Sequence, residues 1–153
     1  MTTIKLVTVI NASVEKCFNV SRDIQIHELS AKGTNEKAIA GKISGLCDLN
    51  DEITWQAKHF GIRQKLTVKI SRIDPPSFFE DIMLKGAFKS MRHEHHFKKV
   101  NDNTEMTDIF IYEVPFGILG ILFDKIILKK YMTNFLLVRN STIKQISEIK
   151  GSS

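Results

Sequence analysis

The stretch PFGILGILFDKIILKKYMTNFLLVRNSTIKQISEI, residues 115–149, decides the fold. Val114-Pro115-Phe116-Gly117 opens it, because the residue before a proline is pushed to extended geometry and a glycine frees the backbone to turn. From residue 118 to 149 there is no proline, and Gly120 is the one glycine. The spacing predicts one long helix over 115–149. At 1.5 Å per residue, about 30 residues make a rod of about 45 Å, which needs a broad surface to lie on. Steps of 100° place Ile127, Leu128, Tyr131, Phe135, Val138, Thr142 and Ile146 in one core-facing sector, with Lys125, Lys129, Asn140 and Lys144 opposite. Asp124 falls inside that sector. A carboxylate there finds a partner, stays protonated, or serves the positive end of the helix dipole from a wet edge.

The same helix carries surplus apolar surface. Leu119, Leu122, Ile126 and Leu137 cluster on the lysine side, where loops, a second copy of the chain in a homodimer, or a membrane surface would have to cover them. A spanning helix is excluded. The uncharged apolar run 114–123 is about half the required length before Asp124-Lys125 and Lys129-Lys130 interrupt it.

Upstream, Ile4, Leu6, Thr8 and Ile10 alternate with Lys5, Val7 and Val9, which predicts a first strand. Ser13-Val14-Glu15-Lys16 starts a helix through Val20, and a second short helix covers about 23–29; 30–35 reads as loop. Six strands then follow at hairpin intervals, over 36–43, 51–60, 62–73, 78–85, 89–100 and 104–114, punctuated by Ser44-Gly45, Gly61, Asp74-Pro75-Pro76, Gly86-Ala87 and Asn101-Asp102-Asn103. The expected fold class is α+β: a curved, seven-stranded antiparallel sheet wrapped around the long C-terminal helix, with two short helices between strands 1 and 2. Side chains need not fill the space between such a sheet and its helix, so a cavity open at one end is expected.

Period two in Met91-Arg92-His93-Glu94-His95-His96-Phe97-Lys98 separates an inward set, Met91, His93, His95 and Phe97, from a solvent set. A turn that pairs Asn101 with Thr104 sets Phe97 opposite Asp108, His95 opposite Phe110 and His93 opposite Tyr112, all on one face. His93, His95 and Asp108 are then expected in the cavity, with Trp55 and His59 from the third strand and Asp124 and Tyr131 from the helix. Four roles are open to them: a satisfied structural network, recognition of a ligand's polar head while Trp55, Phe110, Phe123 and Phe135 grip its apolar body, acid–base work on a substrate, or metal binding. No metal is expected, since His-x-His offers two same-side nitrogens and no certain third ligand. No Gly-rich phosphate loop, nucleophile elbow, His-Glu-x-x-His or Cys-x-x-Cys occurs, so neither a cofactor nor covalent catalysis is indicated.

Composition agrees with one globular domain of 153 residues, 42% hydrophobic and 25% charged. The net charge of +5, from 22 Lys and Arg against 17 Asp and Glu, is scattered rather than run together, which excludes a nucleic-acid partner. Cys17 and Cys47 are far apart and lack metal spacing; two reduced thiols and no signal-peptide pattern point to the cytoplasm.

Phe79-Glu80-Asp81-Ile82-Met83, Gly86-Ala87-Phe88, Met91-Arg92-His93-Glu94-His95-His96-Phe97, Thr104-Glu105-Met106-Thr107-Asp108 with Phe110 and Tyr112, then Pro115, Gly117, Leu119-Gly120 and Asp124 make a pattern that covers much of the chain. In it the chain resembles the START-like or SRPBCC superfamily, the helix-grip fold shared with Bet v 1, polyketide cyclases and lipid-transfer domains. It is most similar to a bacterial branch without an assigned activity. Met83, Ala87 and Met91 stand where that pattern often has glutamine, proline and tryptophan, departures that imply a more apolar and flexible cavity mouth. The resemblance implies a lipid- or polyketide-like ligand in the cavity. Together these readings put the ligand against Trp55, His59, His93, His95, Phe97, Asp108, Phe110, Tyr112, Phe123, Asp124, Ile127, Tyr131 and Phe135. A cyclase or dehydratase using His93 or His95 as base is the enzymatic alternative, and a protein- or membrane-surface module using the helix patch is the third.

Overall fold

The computed structural model describes residues 1–150. Seven strands, β1 (Thr2–Ile10), β2 (Lys37–Gly41), β3 (Glu52–His59), β4 (Ile62–Asp74), β5 (Phe78–Lys85), β6 (Ser90–Val100) and β7 (Asn103–Glu113), form one antiparallel sheet in the order β1-β7-β6-β5-β4-β3-β2. The order follows from the turns. Each short connection from β3 onward returns the chain beside its predecessor, and β1 closes the far edge against β7. Alternation then gives the central strands a single buried face: Ile53, Trp55 and Ala57 on β3, Met91, His93, His95 and Phe97 on β6, and every second residue from Thr104 to Tyr112 on β7. Register shifts in the β2–β3 and β4–β5 pairs mark bulges, which bend the sheet around what it covers.

The β6–β7 register differs from the expected one. Val100 pairs with Asn103 around Asn101-Asp102, with Asn101 at a left-handed φ of 55° that asparagine tolerates better than most residues. His95 therefore stands opposite Asp108, His93 opposite Phe110 and Phe97 opposite Met106. A slip of two residues keeps every side chain on its face, so the inward set survives while its partners change.

Two short helices, α1 (Val14–Ser21) and α2 (Ile24–Ser30), follow β1 and are capped by Ser13 and Asp23, whose side chains accept from the Lys16 and Ile26 amides. A 3₁₀ turn, Lys32–Thr34, occupies the segment expected to be loop. The two helices plug one end of the sheet. Phe18 packs edge-on against Phe79 and Phe97, with ring centroids at 5.8 and 5.7 Å.

The covering helix runs from Gly117 to Ser147 in three parts: α3 (Gly117–Phe123), one π turn (Asp124–Leu128) and α4 (Lys129–Ser147). A π turn takes in one extra residue, so a helical wheel drawn through it is about 100° out beyond it. Of the expected inward set, Tyr131 and Phe135 face the cavity and Ile146 packs on the core, half-buried, while the fully buried row lies one residue on, at Leu136, Arg139, Ile143 and Ser147. Val138 is 60% exposed and Asn140, expected to face solvent, is 2% exposed. At the first residue of the turn, Asp124 is buried as the wheel placed it.

Candidate functional site

The aromatic plug at one end leaves the other end open. Between sheet and helix lies a cavity of about 530 Å³, walled by Trp55, Ala57 and His59 of β3, Leu66 and Val68 of β4, Met91 and His93 of β6, Phe110 of β7, and Leu128, Met132, Phe135 and Leu136 of the helix. Its volume suits a molecule of drug or lipid size. Polar side chains enter this wall at His27 and Glu36, at Gln64 and Lys65, at His59 and Tyr131, and where Asp81, His93 and Arg139 come together; a second pocket of about 70 Å³ touches these last three residues and His95.

Asp108 holds that region together. Its Oδ1 accepts from His95 Nδ1 at 2.9 Å, His93 Nε2 at 3.1 Å and Arg139 Nη1 at 3.3 Å, and its Oδ2 accepts from Asn140 Nδ2 at 2.8 Å. Burial alone would push this carboxyl up. The hydrogen bonds from both histidines and the Arg139 charge outweigh burial and hold it well below the usual carboxylate range. His95 Nε2 lies 3.0 Å from Asp81 Oδ1, and the His95 ring is stacked on Phe79 with centroids 4.1 Å apart. Burial, with the neighbouring His95, pushes the His93 imidazole down to about 4, so it is neutral at pH 7. A neutral imidazole whose one N–H is held by a carboxylate has its other nitrogen fixed as an acceptor, free to take one hydrogen bond from a bound molecule.

The mouth is aromatic. His59 Nδ1 and the Tyr131 hydroxyl are 2.7 Å apart, and the Phe60 ring lies 4.5 Å from that of Tyr131 and 5.8 Å from that of Phe123. Where the covering helix begins, Phe116, Ile118, Leu119, Leu122 and Ile126 are 84%, 85%, 76%, 54% and 65% exposed, so among the described residues no loop covers this end of the helix. Phe116 also holds a left-handed φ of 71°, a strained conformation for a bulky residue.

Of the residues read from the sequence, Trp55, His59, His93, Phe110, Phe123, Tyr131 and Phe135 line the large cavity, and His95 lines the small one. Five do not reach either wall. Phe97 belongs to the plug with Phe18. Asp108 is fully buried behind the two histidines. Tyr112 and Asp124 are spent on each other: the Tyr112 hydroxyl and Thr2 Oγ1 both donate to the Asp124 carboxylate, fastening the helix to β7 and β1. Ile127 sits in the π turn, 45% exposed on the outside.

Asp81 and Arg139 were missed. Asp81 shares a face with Phe79 under period two, and Arg139 follows Phe135 by four residues on the helix, so each is a charge set in an apolar stripe.

No family model matches the chain, and no curated protein is similar to it in sequence. Solved structures are similar in fold. A Thermus thermophilus protein superposes with a TM-score of 0.75 at 15% identity, covering 96% of this chain and 100% of that one. A START superfamily protein from Mycobacterium smegmatis gives 0.72 at 12% identity over 94% and 98%, and ginseng major latex-like protein 151 from Panax ginseng gives 0.69 at 14% over 97% and 98%. The chain thus has the START-like, helix-grip fold. Among the described residues, no helix is long and apolar enough to cross a membrane.

Proposed function

We propose that this protein binds a hydrophobic molecule with one polar end, of lipid or polyketide type, inside the cavity between sheet and helix. One observation carries the reading: a largely apolar cavity of about 530 Å³ with Asp81, His93 and Arg139 side by side on its wall. The apolar body of the ligand would lie between Trp55, Phe110 and Phe135, and its oxygen-bearing end against His93 and Arg139. Asp108, His95 and Asn140 act from behind, as positioning residues. Arg139 supplies charge for an acidic or carbonyl head, and His93 supplies a neutral hydrogen-bonding group.

Native mass spectrometry of protein isolated from its own host tests this. A stoichiometric small molecule is expected in the wild type and absent from Ala57→Trp, which fills the cavity from β3. A folded wild type that is empty, and that takes up no fluorescent fatty acid or anilinonaphthalene probe with Ala57→Trp as the control, overturns the reading.

The exposed apolar rim favours a second role, docking on a membrane from which the ligand enters. Phe116 lines the cavity, Leu119, Leu122 and Ile126 are exposed on the helix that starts beside it, and Lys125, Lys129 and Lys130 flank them in sequence, the pairing that suits an anionic lipid surface. Leu119→Glu with Ile126→Glu should abolish sedimentation with phosphatidylserine vesicles and leave probe binding in the cavity unchanged. Sedimentation that survives both substitutions, or a concentration-dependent dimer that they dissolve, removes the membrane from this role.

A further inference from the structure

We propose that Asp81, His93 and His95 form a site for a borderline divalent cation of the zinc type, on the polar wall between the two cavities.

The argument begins with donors and acceptors. Asp108 receives N–H groups from His93, His95, Arg139 and Asn140, so it is a carboxylate that only accepts. His95 Nδ1 and His93 Nε2 are therefore the protonated nitrogens of those rings. In a neutral His95 the remaining nitrogen, Nε2, carries a lone pair, and it faces the Asp81 carboxylate at 3.0 Å. Two acceptors at that distance repel unless a positive centre lies between or beside them. A proton would do this, and so would a metal ion.

Three features favour the metal. Asp81, His93 and His95 each offer one ligand atom, and these atoms all lie within 4.8 Å of one another. With metal–nitrogen distances near 2.0–2.1 Å, a tetrahedral site has edges of about 3.4 Å, reachable by small side-chain rotations. Secondly, a carboxylate behind both imidazoles is the arrangement that orients metal-binding histidines, and Asp108 supplies it to both. Thirdly, the charge count is open: Asp81 and Asp108 face Arg139 alone among fixed cations in the cluster, which leaves one negative charge when both imidazoles are neutral. Two imidazole nitrogens and one carboxylate suit zinc or its neighbours rather than calcium or magnesium.

Both cavities reach the ligand set, so at least one coordination position would face open space. A water there would be polarised, and an oxygen of a cavity ligand could replace it. The site does not depend on the identity of the hydrophobic molecule or on its being bound at all.

The test is titration of chelator-treated full-length protein with Zn²⁺ by calorimetry and with Co²⁺ by visible absorption. One ion per chain is expected, with the strong d–d bands of four- or five-coordinate cobalt. Asp81→Asn and His95→Gln, which keep side-chain shape, should each weaken binding at least about 100-fold. Asp108→Asn, one shell out, should weaken it about 10- to 100-fold. His96→Gln removes the histidine on the opposite face of β6, half-buried and paired with Glu94, and should leave binding intact. Circular dichroism confirms that each variant is folded. A folded wild type that takes up neither ion, or one whose binding is lost in His96→Gln and kept in His95→Gln, overturns the site.

Discussion

Asn140 donates from Nδ2 to Asp108 Oδ2 at 2.8 Å, which ties the middle of α4 to strand β7 beneath the polar wall of the cavity. Asn140 Oδ1 in turn accepts from Arg139 Nη1 at 3.0 Å, so one amide serves both ends of the buried charge pair. Asn140→Ala removes one partner from a buried carboxylate and should cost about 1–3 kcal/mol. Asp108→Ala strips the buried Arg139 of its counter-charge and should cost about 3–5 kcal/mol. Urea unfolding measures both, and a smaller loss for Asp108→Ala than for Asn140→Ala would show that the charge pair contributes less than the amide.

That bond also shows what a sequence conceals. The sheet was legible because period two survives a register slip of two: His93, His95 and Asp108 share a face whichever turn forms, and only their pairing was misplaced. The helix was legible in existence and reach, and in Asp124 facing inward. Beyond the π turn its buried side was not, because a periodic pattern carries no mark of a single extra residue. Asn140 thus read as solvent-facing, and Arg139 drew no notice. Phe97 was correctly inward, yet whether an inward residue meets a ligand or a plug depends on α1 and α2, and Phe18 takes that space. Three carboxylates with different partners, Asp81, Asp108 and Asp124, likewise became distinguishable only once the strands were side by side.

Gly120 sits where the helix passes closest to the loop that starts it. A Cβ there would lie 1.9 Å from the Pro115 carbonyl oxygen, a backbone atom with no rotamer to move. Gly120→Ala should push α3 outward and cost about 1–3 kcal/mol, the usual range for overpacking. Because Pro115, Phe116 and Phe123 line the mouth, the dissociation rate of a cavity-bound fluorescent probe should change as well. An unchanged rate together with an unchanged urea midpoint would mean that the segment yields freely.

His59 supplies a pH dependence whose sign is fixed by burial. Burial lowers its pKa from the ordinary 6.5, and the opposing pull of the Glu36 charge does not restore it. The unfolded chain therefore takes up a proton near pH 6.5 that the folded chain refuses, and stability falls as pH drops through that value toward the folded pKa. His59→Gln can still bond the Tyr131 hydroxyl and cannot titrate. The wild type should lose stability relative to this variant between about pH 7 and pH 5. Parallel stability curves would mean that His59 titrates alike in both states.

The π turn keeps two anchors in register. Asp124 must meet Tyr112 and Thr2, while Arg139 and Asn140 must meet Asp108, and an unbroken α-helix would put one of these sets about 100° out. Deleting the exposed Lys125 removes the extra residue and allows ordinary helical hydrogen bonds throughout. The shortened helix then turns through the same angle between the two anchors as the native helix with its π turn, so both stay engaged: Asp124 keeps Tyr112 and Thr2, and Arg139 and Asn140 keep Asp108. Tyr112→Phe should therefore cost as much in the deletion background as in the full-length chain, with the two losses adding to within about 0.5 kcal/mol in urea unfolding. A Tyr112→Phe that costs nothing after the deletion would show that Asp124 has lost its partners, and that the turn does not absorb the extra residue in this way.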